Sequence, residues 1–313
     1  MIEEPKKIPI HGAEGFSVSE SAEAIPEAER IIVKKEDLKP PQEFEKGAAL
    51  INLIVNVKDI RDPKDGEIGA LYPEQAAEFE ARIESFMDQI YNTLPAEERS
   101  DLDVVVIAGE THLVTPGPNG LRSAHQRAME TGDRAIAGIL KSMTKHDIDP
   151  EEVLTTQHGR PIATNILNDL RLMHPLGSEG EKEFHNFLVK RYGAGRDFWK
   201  AFEEDAEQVR RTELRAEGPT DISDRVDHFV SIATTIVDLH QEGNPQKRVV
   251  IFAIGHYDNL SPWVKSHLAG IDPAKGFVPM EKGGGLVIKR SSDKTAETSV
   301  GARTFAVKLE SLV

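Results

Sequence analysis

The run AALINLIVNV, residues 48–57, is apolar at nearly every position and decides the fold class. A strand whose side chains are buried on both faces belongs to a sheet covered on both sides, as in parallel sheets flanked by helices. Two further runs share this character, DVVVIA at 103–108 and RVVIFAIG at 248–255. The three runs predict strands at the centre of one sheet.

Segments with helical spacing lie between these strands. Residues 73–90, PEQAAEFEARIESFMDQI, repeat apolar side chains every three or four positions after a proline suited to a first turn. Residues 123–141 have a helical pattern as well. Alternating strands and helices predict an α/β fold, here a three-layer α/β/α sandwich with a mostly parallel central sheet. Residues 150–245 are predicted to be mostly helical and to form an inserted cap.

The remaining domain organisation follows from composition. Residues 1–46 are rich in Glu, Pro, Lys and Ala and have little to bury, which predicts an N-terminal arm that is partly disordered. Residues 47–313 are predicted to form the α/β domain. A protein partner for the arm is a further expectation.

Charge and composition exclude several classes of function. The net charge of -15 argues against nucleic-acid binding, which needs clustered Lys and Arg. The chain contains 0 cysteines, so disulfides and cysteine-ligated metals are excluded. No stretch approaches the ~20 apolar residues that span a bilayer, and no signal peptide is recognisable. We expect a cytoplasmic protein without a membrane partner.

Ligands of open α/β sheets bind beyond the carboxyl ends of the strands, which directs attention to two segments. His256 directly follows the third apolar run, and SAHQRAMET, residues 123–131, follows the second. An arginine in the first turn of a helix can hold a phosphate with two parallel hydrogen bonds. The alternatives without a ligand are that Arg127 pairs with a surface carboxylate and that His256 has a structural role.

These segments resemble the histidine phosphatase (phosphoglycerate mutase-like) superfamily. Ser123, Arg127, Ala128 and Thr131 fit its S-x-x-x-R-A-x-x-T segment, and His256 matches its second pocket histidine. The closing sequences MEKGGGLVIKR and TFAVKL are similar to its last strands. The resemblance covers residues 48–145 and 245–310, and it implies that Ser123, Arg127 and His256 contact phosphate, with Arg127 and His256 in catalytic roles.

The first strand departs from the superfamily. The Arg-His-Gly motif that supplies the nucleophilic histidine should end this strand, and Asn56, Val57 and Lys58 stand there instead. Val57 cannot form a phosphoramidate, and Asn56 carries no charge. Lys58 restores one positive charge, without the fork of an arginine. The resemblance therefore implies a phosphate pocket retained in part, through Arg127, His256, Ser123, Asn56 and Lys58, without standard catalysis.

Other residues could supply the missing chemistry. His112, in the loop GETHLVTPGPNG, is the candidate to replace the nucleophile or to form an acid–base or metal pair with Glu110, against the simpler explanation of a Gly/Pro-rich surface loop with solvated side chains. His125 lies inside the SAHQRA segment. The superfamily's proton donor could be any of four acids in the middle of the chain, namely Glu152, Asp169, Glu179 and Glu181. No metal motif or phosphate-binding glycine loop is recognisable, so no metal or cofactor is expected.

Three functions remain open. The leading hypothesis is a histidine-phosphatase-like pseudoenzyme that binds phosphate or a phosphorylated small molecule or protein. The second is an atypical phosphomonoesterase that uses His112 or an activated water. The third is a protein-interaction scaffold built on the helical insertion and the arm.

Overall fold

The structure is a computed structural model that describes residues 31–60, 64–66, 70–109, 127–150, 165–166, 179–193, 196–276 and 278–309. Its strands and helices follow in this order: β1 (Ala49–Val55), α1 (Pro73–Thr93), β2 (Leu102–Ala108), α2 (Arg127–Lys145), β3 (Asn165–Ile166), α3 (Glu179–Tyr192), α4 (Arg196–Glu203), α5 (Gln208–Leu214), α6 (Pro219–Gln241), β4 (Arg248–Gly255), α7 (Tyr257–Val264), β5 (Gly285–Arg290), β6 (Ala296–Val300) and β7 (Arg303–Ala306). Short 3₁₀ helices cover Lys35–Asp37 and Ala96–Asp101, and a short π-helix covers Lys265–Ala269.

The described strands form one sheet in the order β3-β2-β4-β1-β5-β6-β7. The predicted α/β fold is confirmed, but the sheet is mixed rather than mostly parallel. The pairs β3–β2, β2–β4 and β4–β1 are parallel, whereas β1–β5, β5–β6 and β6–β7 are antiparallel. For β5, β6 and β7 the reason lies in the connections, because these strands follow one another through turns too short for the crossover that parallel neighbours need.

The two faces of β1 bury different side chains because successive residues of a strand point to opposite sides. Leu50 and Ile54 pack in a core cluster with α1 and α2, and Ile51 and Leu53 pack in a second cluster with α6 and α7. Every residue of β1, β2 and β4 is buried. Helices thus cover both faces of the sheet, which explains the continuous apolar run at 48–57.

The middle of the chain divides into two parts. Helices α3, α4 and α5 share a small cluster that includes Phe184, Leu188 and Phe202. Helix α6, which falls within the predicted insertion 150–245, instead packs on the sheet through side chains such as Phe229 and Val237. Residues 196–214 form two helices rather than one, because the left-handed Asp205 (φ 47) separates α4 from α5.

Part of the predicted N-terminal arm contacts the core. Residues 1–30 lie outside the described residues, but Ile31, Val33, Leu38 and Phe44 are buried. Val33 forms a parallel bridge with Met280, in which its N–H donates to Pro279 O at 3.0 Å. The few apolar residues of this segment are therefore the ones that attach it to the domain. In the described part of the chain, no helix has the length and apolar character needed to cross a membrane.

Candidate functional site

The carboxyl ends of β1, β2 and β4 meet at one edge of the sheet. The Asn56 N–H donates to Gly255 O at 3.0 Å, and the Gly109 N–H donates to Ile254 O at 2.8 Å. Because the strands are parallel and in register, the residues that follow them lie side by side. The segment that starts at Asn56 therefore lies next to His256 at this edge. Further back on the same two strands, Asn52 Nδ2 donates to Ile251 O, 199 residues away in the chain.

Val57, at the end of the first-strand segment, is fixed by helix α2. Its N–H donates to Thr131 Oγ1 at 3.1 Å, and the Thr131 hydroxyl donates to the Arg127 carbonyl oxygen at 2.6 Å. The Val57 side chain is 2% exposed and belongs to the core cluster beneath α1 and α2. The structure therefore brings the described part of SAHQRAMET, residues 127–131, together with the altered first-strand segment, through Thr131 and the backbone of Arg127.

The guanidinium of Arg127 lies against a carboxylate. Its Nη1 is 3.5 Å from Asp59 Oδ2, and the two side chains are only 8% and 7% exposed. Arg127 thus pairs with a carboxylate, as the alternative from the sequence stated, but this carboxylate is buried rather than on the surface. Asp59 was not recognised from the sequence, and its only signal was its position three residues after Asn56.

The ammonium of Lys58 lies over the ring of Tyr72. Its Nζ lies 5.3 Å from the centre of the Tyr72 ring, a cation–π arrangement. The Lys58 carbonyl oxygen accepts from the Tyr72 N–H at 3.2 Å, which fixes the two segments side by side. The charge that was predicted to replace the missing arginine of the motif is therefore placed over an aromatic ring.

Asn56 is fully buried and only half of its amide is satisfied. Its Nδ2 donates to Val57 O at 2.7 Å, while its Oδ1 has no hydrogen-bond partner among the described residues. A buried acceptor without a donor is costly, so this oxygen carries unused hydrogen-bonding capacity beside the sheet edge.

His256 joins β4 to α7 and is fully buried. Its N–H donates to Asn259 Oδ1 at 3.1 Å, and the Asn259 N–H donates back to the His256 carbonyl oxygen at 3.1 Å. This reciprocal pair satisfies backbone groups at the start of the helix. The backbone of His256 is therefore fixed at the same edge as Asn56.

A buried polar cluster adjoins the residue after His256. Glu203, at the end of α4, accepts hydrogen bonds from the hydroxyls of Tyr257 and Ser261 on α7. Lys265 Nζ lies 3.2 Å from Glu203 Oε2 and also donates to the carbonyl oxygens of Glu203 and Gly276. Glu203, Ser261 and Lys265 are at most 1% exposed. This cluster connects α4 to α7.

Burial dominates the titration of this cluster. It raises the pKa of the Glu203 carboxyl above its ordinary value, against the opposing effect of the Lys265 ammonium. Burial, reinforced by the neighbouring Glu203 carboxylate, raises the pKa of Tyr257 well above its ordinary value. Glu203 was not among the predicted proton donors, because nothing in its local sequence distinguishes it from its acidic neighbours.

Several predicted site residues lie outside the described residues. His112, Ser123, His125, Glu110, Glu152 and Asp169 belong to this group. Glu181 lies on α3, and for Glu179 only the helical backbone is described. Their roles stay predictions. Within the described ranges, no group of three or more His, Cys, Asp or Glu side chains is arranged to hold a metal ion.

Comparisons with known proteins give weak likenesses only. No known protein family matches the chain by its sequence profile, and no curated protein matches it. Among solved structures, phosphoglycerate mutase from Bacillus anthracis str. Sterne is 10% identical with a TM-score of 0.40, over 83% of this chain and 94% of that one. Mycobacterial hydrolase 1 is 11% identical with a TM-score of 0.38, over 82% and 99%.

A third solved structure is similar to the chain at an equally low level. Mycobacterial glucosyl-3-phosphoglycerate phosphatase is 10% identical with a TM-score of 0.34, over 84% of this chain and 99% of that one. Because these three identities do not exceed 11% and the TM-scores do not exceed 0.40, the likenesses carry no argument about the family, activity or ligand of this chain.

Proposed function

We propose that this chain is a histidine-phosphatase-like α/β/α protein of three layers that binds phosphate or a phosphorylated ligand without forming a phosphohistidine. Arg127 supplies the positive charge, and His256 lies across the same sheet edge. Ser123, Asn56 and Lys58 complete the proposed pocket. The ligand is a phosphorylated small molecule or a phosphorylated protein.

The observation that carries the proposal is the state of Val57. A nucleophile needs a lone pair directed at phosphorus and a neighbour that activates it. Val57 has neither, and its side chain is 2% exposed within the apolar core. Its backbone N–H is already used by Thr131 at 3.1 Å. The first-strand position therefore contributes packing in this chain rather than covalent chemistry.

The capacity to bind an anion rests on Arg127. Its guanidinium is buried beside the sheet edge where ligands of α/β proteins bind. A guanidinium in such a place forms short, charge-assisted hydrogen bonds with phosphoryl oxygens. Asn56, directly after β1, adds neutral polar atoms, and the global charge of -15 makes a local cation necessary for any anionic ligand.

The test is calorimetric titration of the full chain with phosphate and with vanadate. We expect saturable binding that Arg127→Ala abolishes. Arg134→Ala is the matched control, because this second arginine of α2 is 51% exposed and pairs with Glu80. Absence of binding by the unaltered chain would favour the interaction scaffold and reject the proposal.

Catalysis is tested separately with p-nitrophenyl phosphate between pH 5 and pH 8. We expect no turnover above the uncatalysed rate. Turnover that His112→Ala removes would establish the atypical phosphomonoesterase in place of the pseudoenzyme. Turnover that survives substitution of His112 and His125 but requires Arg127 would likewise contradict the non-catalytic assignment.

A further inference from the structure

The buried cation of the proposed pocket already has an anionic partner from the chain itself. Arg127 Nη1 lies 3.5 Å from Asp59 Oδ2, and neither side chain is more than 8% exposed. A ligand anion that approaches Arg127 therefore meets a carboxylate of the same sign within a few ångströms. Burial reduces the screening of this repulsion by solvent.

The backbone around Asp59 holds this carboxylate in place. Asp59 forms an antiparallel bridge with Leu71, and the Ile60 N–H donates to Ala70 O at 2.7 Å. On the other side, the Arg127 carbonyl oxygen accepts from Thr131, whose Oγ1 accepts in turn from the Val57 N–H. Both members of the ion pair are thus presented by hydrogen-bonded backbone rather than by mobile surface segments.

We infer that Asp59 is a specificity-determining residue that acts as a resident competitor for Arg127. A monoanion that displaces it gains a charge interaction no better than the one it breaks. A dianionic phosphomonoester brings a second charge and more acceptor oxygens, so it gains from the exchange. Asp59 therefore restricts the pocket to dianionic phosphoryl groups. This inference rests on the proposed phosphate-binding function.

The geometry of the other charged neighbour agrees with this role. Lys58, next to Asp59 in the chain, directs its ammonium over the Tyr72 ring at 5.3 Å from the ring centre. Of the two adjacent charged residues, the acid is the one in contact with Arg127. Removal of the Asp59 charge would remove this competing anion from the guanidinium.

The experiment titrates methyl phosphate, a dianion at pH 8, and dimethyl phosphate, a monoanion, into the unaltered chain, Asp59→Asn and Asp59→Glu. Asp293→Asn is the matched control for net charge, because Asp293 is exposed in the turn after β5, at the opposite edge of the sheet. Thermal unfolding of each variant verifies that it is folded.

We expect Asp59→Asn to bind methyl phosphate about tenfold more tightly or better, the smallest change that a charge within about 4–6 Å produces in an ionic equilibrium. It should also bind dimethyl phosphate, which the unaltered chain and Asp59→Glu should reject. Equal or weaker methyl phosphate binding by Asp59→Asn, with Arg127-dependent binding by the unaltered chain, would overturn this inference and leave the proposed function intact. No binding by any folded form would overturn both.

Discussion

The carboxylate of Glu203 and the ammonium of Lys265 lie 3.2 Å apart, and each side chain is at most 1% exposed. Glu203 ends the helical segment α4, whereas Lys265 follows α7, the helix that begins after His256. Ring contact between Trp199 and Tyr257, with centres 6.1 Å apart, adds to the same junction. A buried ion pair thus lies at the junction between α4 and α7.

We expect removal of one charge from this pair to be strongly destabilising. Glu203→Gln leaves Lys265 buried without its counter-ion, a change that costs about 3–5 kcal/mol in other proteins. The free energy of unfolding in urea measures the effect. Glu204→Gln is the control, since Glu204 lies 3.9 Å from Lys200 on the surface and such pairs contribute about 0–1 kcal/mol. Equal losses in the two variants would contradict the structural role of Glu203.

The Asp88 carboxylate on helix α1 accepts hydrogen bonds from α2. Asp88 Oδ1 accepts from Ser142 at 2.7 Å, and Asp88 Oδ2 accepts from Lys145 at 2.5 Å. Burial by itself would raise the pKa of Asp88, but the hydrogen bonds from Lys145 and Ser142 outweigh it and hold the pKa below its ordinary value.

The sign of the pH effect follows from that direction. A carboxyl whose pKa is lower in the folded state stabilises the fold above its unfolded pKa of about 3.9, and this contribution is lost as pH falls through the folded pKa. Asp88→Asn should cost about 1–2 kcal/mol at pH 7 and progressively less below pH 4. Unfolding curves at several pH values measure this, with the exposed Asp224→Asn as control. A loss that is independent of pH would contradict the assignment.

Gly138 allows α1 and α2 to approach closely. A Cβ at this position would lie 2.4 Å from the backbone oxygen of Glu80 and 3.0 Å from the backbone N of Glu84. Alanine usually stabilises a helix by about 1 kcal/mol relative to glycine. Here the clash should outweigh this gain, so Gly138→Ala should lower the free energy of unfolding by about 1–3 kcal/mol. The melting temperature should fall accordingly.

The matched control is Gly243→Ala, because a Cβ there meets nothing within 4 Å. This substitution should leave the melting temperature nearly unchanged. A stabilising effect of Gly138→Ala would show that the two helices separate more easily than their contact implies.

Thr131 connects Val57 to the first described turn of α2. Thr131→Val keeps the shape of the side chain but leaves the buried Val57 N–H without its acceptor, which should cost about 1–3 kcal/mol. Thr131→Ser keeps the hydroxyl and should lose less. Since Thr131 also binds the Arg127 carbonyl, the valine variant should weaken phosphate binding more than the serine variant. Equal effects on stability and on phosphate affinity would remove this role from the hydroxyl.

The central strands and their helices follow from local pattern. The run at 248–255 is a strand with the predicted bounds, and the helix predicted over 73–90 extends to Thr93. These elements are predictable because a strand buried on both faces needs an uninterrupted apolar run, and an amphipathic helix needs apolar residues at a 3.6-residue period. By contrast, β6 (Ala296–Val300) was missed, since its sequence AETSV has few apolar residues and its pairing depends on β5 and β7.

The candidate site divides in the same way. The sequence alone determined that Arg127 and His256 follow buried strands and that Val57 cannot act as a nucleophile. Tertiary structure decided the partners, because Asp59 lies 68 residues from Arg127 and Glu203 lies 54 residues from Tyr257. Periodicity describes how a residue lies relative to its own helix or strand. The charge that faces it across the fold depends on how separate segments pack, and only the folded chain brings Arg127 to Asp59.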